Sequence, residues 1–277
     1  MVDQSPEHTR EIWQLIGVDS DGEVSYEPPP EPPVTLPKIW PASVLAGLIQ
    51  DYTYWEGRGI SEATVAPFGG GVATRFQMAD RWVIPQYNED GEIIGFSGRC
   101  LRKLSDADRK RMHRPKWKHL SPSSSFVWGG LDEVHETRRA ILCESIGDVL
   151  ALREHGVPEG LCLFGTNMSQ ALLGFLISAN PEQIIVSTNL DQPKVRNGRT
   201  IWAGQESAAR IQRTLLSFFD ESKVSVVHPP VAEGVKDWGD CSAEQIGAAF
   251  LAQPETEPTV AAEDTPSAEP PEDLFAL

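Results

Sequence analysis

The sequence predicts an α/β fold built on a parallel sheet, and three observations carry that prediction. Short apolar runs at residues 140–144, 160–165, 183–188 and 223–227 alternate with segments of helical spacing, the pattern of strands joined by helical crossovers. Acidic and amide side chains follow those runs: Glu144 after the first, Asn189 and Asp191 after the third, Asp237 and Asp240 beyond the fourth. Upstream, two alternating segments at 81–87 and 92–99 flank Asn88-Glu-Asp-Gly91, whose turn chemistry predicts an antiparallel hairpin ahead of the parallel part.

The elements follow in order. Residues 5–18 place Ile12, Trp13, Leu15 and Ile16 on one face of a short amphipathic helix. Residues 19–37 are rich in acids and prolines and read as a linker. Residues 42–49 open the core with helical spacing. The run at 140–144 reads as a buried strand ending at Glu144, and residues 147–156 as a helix closed by Gly156. A strand at 160–165, a helix at 168–179 and a strand at 183–188 come next. A polar loop then leads to a helix at 205–219, a strand at 223–227 and the acidic loop Lys236-Asp-Trp-Gly-Asp240. The division expected is an acidic arm and linker (1–38), a smaller mixed α+β subdomain (39–135), a parallel-sheet subdomain (136–251) and a disordered tail (252–277). That tail is composed of Pro, Glu, Ala and Thr and ends in the apolar tip Leu274-Phe-Ala-Leu277.

Composition narrows the class. With 277 residues and 40% hydrophobic content the chain can bury a sizeable core. It has no long apolar run or signal pattern, so a cytoplasmic protein with no membrane segment is expected. Its four cysteines, Cys100, Cys143, Cys162 and Cys241, are scattered without a Cys-x-x-Cys pair, which suits reduced thiols and excludes a zinc ribbon. Cys143 and Cys162 fall inside predicted buried strands.

The net charge of −16 divides unevenly. Eight acids against Arg10 precede Thr35, and seven acids with no base follow Ala252, so the ends carry −14 and the rest is nearly neutral. Within that core, Arg99, Arg102, Lys103, Arg109, Lys110, Arg111, Arg114, Lys116 and Lys118 face only Asp106 and Asp108 in their stretch. A basic block of this kind neutralises phosphates even when global charge is negative. Taken alone, residues 109–111 fit a solvated charged loop equally well.

In open parallel sheets ligands bind outside the carboxyl ends of the strands, which is where Glu144, Asn189, Asp191, Asp237 and Asp240 are delivered. Convergent carboxylates imply a divalent metal. Glu144 at the end of a buried strand would be costly unless paired or metal-bound. Asp148 lies in a first helical turn, where an acid is favoured by the helix dipole without any metal.

These segments together resemble the bacterial-type (DnaG-type) primase catalytic core and its Toprim domain. Glu144 with Asp148, then Asn189-Leu-Asp191, resemble the Toprim glutamate and aspartate-x-aspartate motifs. Asn189 departs from the general pattern and is similar to bacteriophage-encoded versions, as are Gly204-Gln-Glu-Ser-Ala-Ala209 and Lys236-Asp-Trp-Gly-Asp240. Upstream, Tyr54-Trp-Glu-Gly-Arg-Gly-Ile60, Phe68-Gly-Gly-Gly71, Gly95-Phe-Ser-Gly-Arg99, Pro115-Lys-Trp-Lys-His-Leu-Ser-Pro122 and the segment 126–129 resemble primase motifs in the family order. Trp128 stands where many members carry lysine. The resemblance covers roughly residues 40–245.

The resemblance implies template-directed synthesis of short RNA primers on single-stranded DNA. The reactants would be ribonucleoside triphosphates and two or more Mg²⁺ or Mn²⁺ ions, with no zinc. Glu144, Asp148, Asn189, Asp191, Asp237 and Asp240 would ligate metal, Glu144 and Asp191 would be catalytic, and Glu144 is also a candidate general base. Arg58, Arg99, Arg114, Lys116 and Lys118 would contact triphosphate or template. A replicative helicase, a single-strand-binding protein and a zinc-module protein acting in trans are the partners expected. Two other readings are a noncatalytic replisome adaptor that binds single-stranded DNA, which Asn189 favours, and a Toprim nuclease.

Overall fold

A computed structural model describes residues 38–121, 126–190, 193–196 and 199–251. All belong to the unit that begins at Lys38. The amphipathic segment at 5–18, the linker and the tail expected from the sequence lie outside the described residues, as do Asp191 and the Asn197-Gly198 pair.

The first half is an antiparallel sheet in the order β1-β2-β3-β4, formed by Gly71–Ala73, Arg81–Tyr87, Ile93–Cys100 and Trp117–His119. The hairpin read from the sequence is its centre, with Trp82 opposite Arg99 and Ile84 opposite Ser97. Its turn closes as the residue types demand: Glu92 N donates to Asn88 Oδ1 (2.8 Å), and Gly91 takes φ +75, a conformation glycine adopts at no steric cost. The first six residues of β2 are buried because both faces are covered. Trp82 and Ile84 join one apolar cluster, while Val83 joins another with Ala73, Met78, Ile93 and Phe96. Three short helices accompany this sheet: α1 (Thr53–Glu56), α2 (Glu62–Val65) and α3 (Asp106–Arg111). Residues Ala42–Gly47 form a 3-10 helix with no buried residue, so the helical spacing read there marks a surface turn and not a core helix.

The second half is a four-stranded sheet in the order β10-β7-β5-β6, every neighbouring pair parallel. Its strands are β5 (Arg139–Cys143), β6 (Gly160–Cys162), β7 (Gln183–Ser187) and β10 (Val224–Val226). The helices are α4 (Leu131–Thr137), α5 (Ile146–Glu154), α6 (Gln170–Ala179), α7 (Ala203–Leu215) and α8 (Ala243–Phe250). Alternation along the strands explains their continuous apolar sequence. Ile141, Cys143 and Ile185 face the cluster built by α5, Trp238 and Phe250, whereas Ala140, Leu142, Ile184 and Val186 face α6 and α7. The first of these clusters also takes in Trp55, Trp82 and Ile94, so the two sheets share one core. Each buried Leu, Ile or Val contributes about 1.5–3 kcal/mol from water exclusion.

Where the sequence suggests a polar loop after β7, residues Lys194–Arg196 (β8) and Arg199–Ile201 (β9) pair as an antiparallel ribbon. Such short polar strands give no periodicity to read. The segment 128–130 seals the edge of β6: Cys162 N donates to Trp128 O (2.8 Å) and Gly130 N to Gly160 O (2.9 Å). Gly129 is needed for this approach. Its φ is +139, and a Cβ there would stand 2.0 Å from the carbonyl oxygen of Gly160.

Candidate functional site

Chain direction in β5 brings Glu144 to the carboxyl edge of the parallel sheet, and the next residues build the site around it. Ser145 caps α5: Asp148 N donates to Ser145 Oγ, while Ser145 N and Oγ donate to Asp148 Oδ2 (3.0 and 2.8 Å). The other oxygen, Oδ1, accepts from Trp238 N (3.2 Å). Asp148 therefore joins the start of α5 to the acidic turn Trp238–Asp240. Trp238 fixes that turn from below. It is fully buried, its Nε1 donates to Ser187 Oγ at the end of β7 (2.8 Å), and its ring packs on Phe250.

Asp148 is 1% exposed, and burial drives its carboxyl up from 3.8 to about 7. The negative charges of Asp237 and Glu144 act in the same direction, and the hydrogen bonds from Ser145 oppose them. Asp237 is also raised, first by burial and then by Asp240, with Arg58, the Gly239 amide and Lys116 pulling against this. The result is a crowded acidic pocket edge whose charge the protein alone leaves partly uncompensated.

The cations arrive from the antiparallel half. Arg58 follows α1 and lies 3.9 Å from Asp237. Arg99, at the end of β3, has its guanidinium near the rings of Tyr54 (5.8 Å) and Trp117 (5.6 Å), and its buried Nε has no hydrogen-bond partner among the described residues. Lys116 is oriented through its backbone: the buried Arg81 donates to the carbonyls of Pro115, Lys116 and Gly98. Together these groups line an open polar cleft of about 210 Å³ between the sheets, walled also by Ser145, Gly147 and Lys236.

Of the site residues expected from sequence, Arg58, Arg99, Lys116, Asp148, Asp237 and Asp240 meet in this cleft. Glu144 is half-buried beside it, its charge felt by Asp148, and its backbone carbonyl accepts from Gly165 N (3.0 Å). Asn189, after β7, has a buried Oδ1 with no hydrogen-bond partner among the described residues. Asp191 lies outside the described residues, among which no group of three or more His, Cys, Asp or Glu is arranged to hold a metal ion. Arg114 and Lys118 are not on the cleft wall. Arg114 donates to Ala79 O and pairs with Asp80 (3.2 Å), and Lys118 donates to Gln77 Oε1 (3.0 Å). Residues 106–111 form α3 and not a loop: Arg111 pairs with Asp108 (2.7 Å), and the Arg109 side chain is only 16% exposed.

Tyr54, Trp117 and Ser145 also line the cleft and Arg81 braces the segment that carries Lys116; none of the four was singled out by residue-by-residue reading. The Ser145-x-x-Asp148 spacing is a local capping signal. The ring contacts of Arg99 and the carbonyl contacts of Arg81 join distant segments and leave no such signal. Trp128 is 6% exposed and packs on Phe68 with the rings tilted and their centroids 4.6 Å apart, so no cation is supplied at that position.

No family model matches the chain. A DNA primase of Helicobacter pylori is 25% identical over 115 residues, 40% of this chain and 20% of that protein. A DNA primase of Thermotoga maritima is 24% identical over 147 residues, 51% of this chain and 25% of that protein. The matched region thus spans a fifth to a quarter of the primases it resembles. An uncharacterized protein of Mycoplasma pneumoniae, the MG010 homolog, is 26% identical over 189 residues, 68% of this chain and 79% of that one. Among solved structures, the RNA polymerase domain of Mycobacterium tuberculosis primase DnaG superposes with a TM-score of 0.58 at 17% identity, covering 76% of this chain and 81% of that one. A DnaG primase catalytic domain bound to single-stranded DNA gives 0.57 at 18% identity, covering 76% of each chain. The chain resembles the DnaG-type primase core in sequence and has its mixed α/β fold with a parallel four-stranded sheet.

Proposed function

We propose that the chain is the polymerising core of a DNA primase, joining ribonucleotides on a single-stranded template. The observation that carries this reading is the cleft in which three cations from one half face three carboxylates from the other. A nucleoside triphosphate is a polyanion, and cations opposite acids place its phosphates between them. In the reaction, the 3′-hydroxyl oxygen forms a bond to the α-phosphorus, the bond to the β-phosphate oxygen breaks, and pyrophosphate leaves. Arg58, Arg99 and Lys116 bind the triphosphate. Arg99 is pre-aimed by Tyr54 and Trp117, which lowers the ordering cost of the contact.

The donors beside the cleft fit a hard divalent cation. Every candidate ligand offers oxygen, the buried Asn189 Oδ1 has no hydrogen-bond partner among the described residues, and the carboxyl of Asp237 is raised by burial and then by the charge of Asp240, both of which a bound cation would offset. Glu144, Asn189, Asp191, Asp237 and Asp240 would hold Mg²⁺ or Mn²⁺, which when bound neutralises charge on the transferring phosphoryl group. Asp148, with both oxygens already accepting hydrogen bonds, acts by holding the acidic turn against α5. Glu144 is also the group we assign to receive the hydroxyl proton, and Glu144→Gln tests this through the pH profile of synthesis.

The deciding experiment is primer synthesis by the full chain on a single-stranded template with labelled ribonucleotides and Mg²⁺ or Mn²⁺. Short labelled products are expected from the wild type and not from Asp237→Ala. Single-strand binding without products at any metal concentration would favour the adaptor reading, to which the neutral amide of Asn189 points. Strand cleavage without synthesis would favour the nuclease reading.

A further inference from the structure

Phe76 is the most exposed large apolar residue described, at 93%, and it is held in a conformation that side-chain-bearing residues avoid, φ +57. A single exposed phenylalanine is ordinary on a protein surface. This one sits on a turn built to present it. Phe76–Met78 form one 3-10 turn; Met78 points inward to the cluster of Val83, Ile93 and Phe96, and Asp80 closes the turn with φ +55 and its amide on Ala73 O (2.8 Å). Two cations of the basic block clamp that end, Arg102 at 2.5 Å and Arg114 at 3.2 Å from the Asp80 carboxylate. The backbone that carries the ring is therefore fixed, while almost all of the ring's own surface faces water.

Charge along the same sheet says what would cover it. The far end of the hairpin carries Glu89, Asp90 and Glu92. The near end, where Arg81 pairs with Cys100, carries Arg75, Arg102, Lys103 and the cations of α3. Lys118 joins the turn to β4 through Gln77, and β4 is the edge strand whose first residue, Trp117, lines the cleft beside Lys116. Alternation along β4 puts Trp117 on the cleft face and Lys118 on the face that carries Met78, so a polyanion that leaves the cleft and passes around this edge meets Lys118 and, beyond Gln77, the turn that carries the ring. An aromatic face beside a line of cations is the arrangement that binds single-stranded nucleic acid without sequence preference, since every base offers a π-face.

We propose that Phe76 is a stacking platform for one base of the single strand bound at the cleft. The inference rests on the polymerase reading above and adds to it a contact outside the cleft. The test measures binding of a labelled oligothymidylate by fluorescence anisotropy, with the full-length wild type, Phe76→Ala and Phe76→Trp, each checked for an unchanged circular-dichroism spectrum. Phe76→Ala should raise the dissociation constant on the order of tenfold with no change in salt slope, and Phe76→Trp should restore it. Strands carrying a single abasic site, scanned position by position, should weaken the wild type at one position and leave Phe76→Ala indifferent there. Equal binding by wild type and Phe76→Ala, or failure of tryptophan to restore it, overturns the stacking contact alone. A wild type that binds no single strand overturns the polymerase reading and this inference together.

Discussion

Replacing Asp148 with asparagine should flatten the pH dependence of stability. The carboxyl stands at 3.8 in an unfolded chain and at about 7 in the folded protein, so between those values folding takes up a proton. For an acid raised by folding, the stabilising contribution is complete below the unfolded value and is lost as pH climbs through the folded one. A difference of about three pH units at ~1.36 kcal/mol each makes the loss about 4 kcal/mol, a large share of the ~5–15 kcal/mol that holds a domain together. Asp237, raised in the same direction, adds to the slope, and Asp148→Asn also relieves Asp237 of a negative neighbour. Asparagine keeps one oxygen for the Trp238 or Ser145 amide. The assay is urea unfolding in chelator at several pH values from about 4.5 to 7.5. Wild type should lose several kcal/mol more than Asp148→Asn across that range, and millimolar-scale Mg²⁺ should return part of the loss if the acids bind it. Parallel profiles for the two proteins, or a wild type that gains stability toward pH 7, would refute the assignment of a buried, mutually repelling acid cluster.

Three further outcomes are expected. Asp237→Ala should lower primer synthesis on the order of a hundredfold while leaving the thermal midpoint within a few degrees, measured by extension assay and calorimetry; near-normal synthesis would remove Asp237 from the site. Asn189→Asp should shift the Mg²⁺ titration of synthesis to lower concentration, because a carboxylate attracts a hard cation more strongly than an amide; an unchanged titration would place Asn189 away from the metal. Gly129→Ala should cost more than ~2 kcal/mol in denaturant unfolding, since its Cβ would meet the Gly160 carbonyl at 2.0 Å in a backbone region closed to alanine; a neutral change would mean the seal on β6 yields without cost.

The strand-and-helix alternation from residue 139 onward was legible because buried parallel strands write continuous apolar runs and helices write their spacing and glycine stops, as at Gly156 after α5; the caps Ser145 and Ser169, which start α5 and α6, went unread. The hairpin was legible for the same local reason, through Asn88 and Gly91. The polar ribbon of β8 and β9 was not, because strands of three residues are too short to show an alternation.

For the site, the sequence by itself determined the residue types and their order along the chain, and Arg58, Arg99, Lys116, Asp148, Asp237 and Asp240, all named from it, meet in one cleft. Tertiary structure alone decided how each is used. Arg114 and Lys118 sit in the same basic block as Lys116, yet they are spent on Asp80, Ala79 and Gln77: Lys118 follows Trp117 on β4 and so faces the opposite side of the sheet, and Arg114, ahead of the strand, is held by Asp80 and the Ala79 carbonyl. Asp148 carries the acidic charge a metal site would use, yet burial against Trp238 makes it a hinge pin between α5 and the acidic turn. Charge and spacing are properties of the chain. Which partner a charged group meets first, and at what desolvation cost, is a property of the packed core.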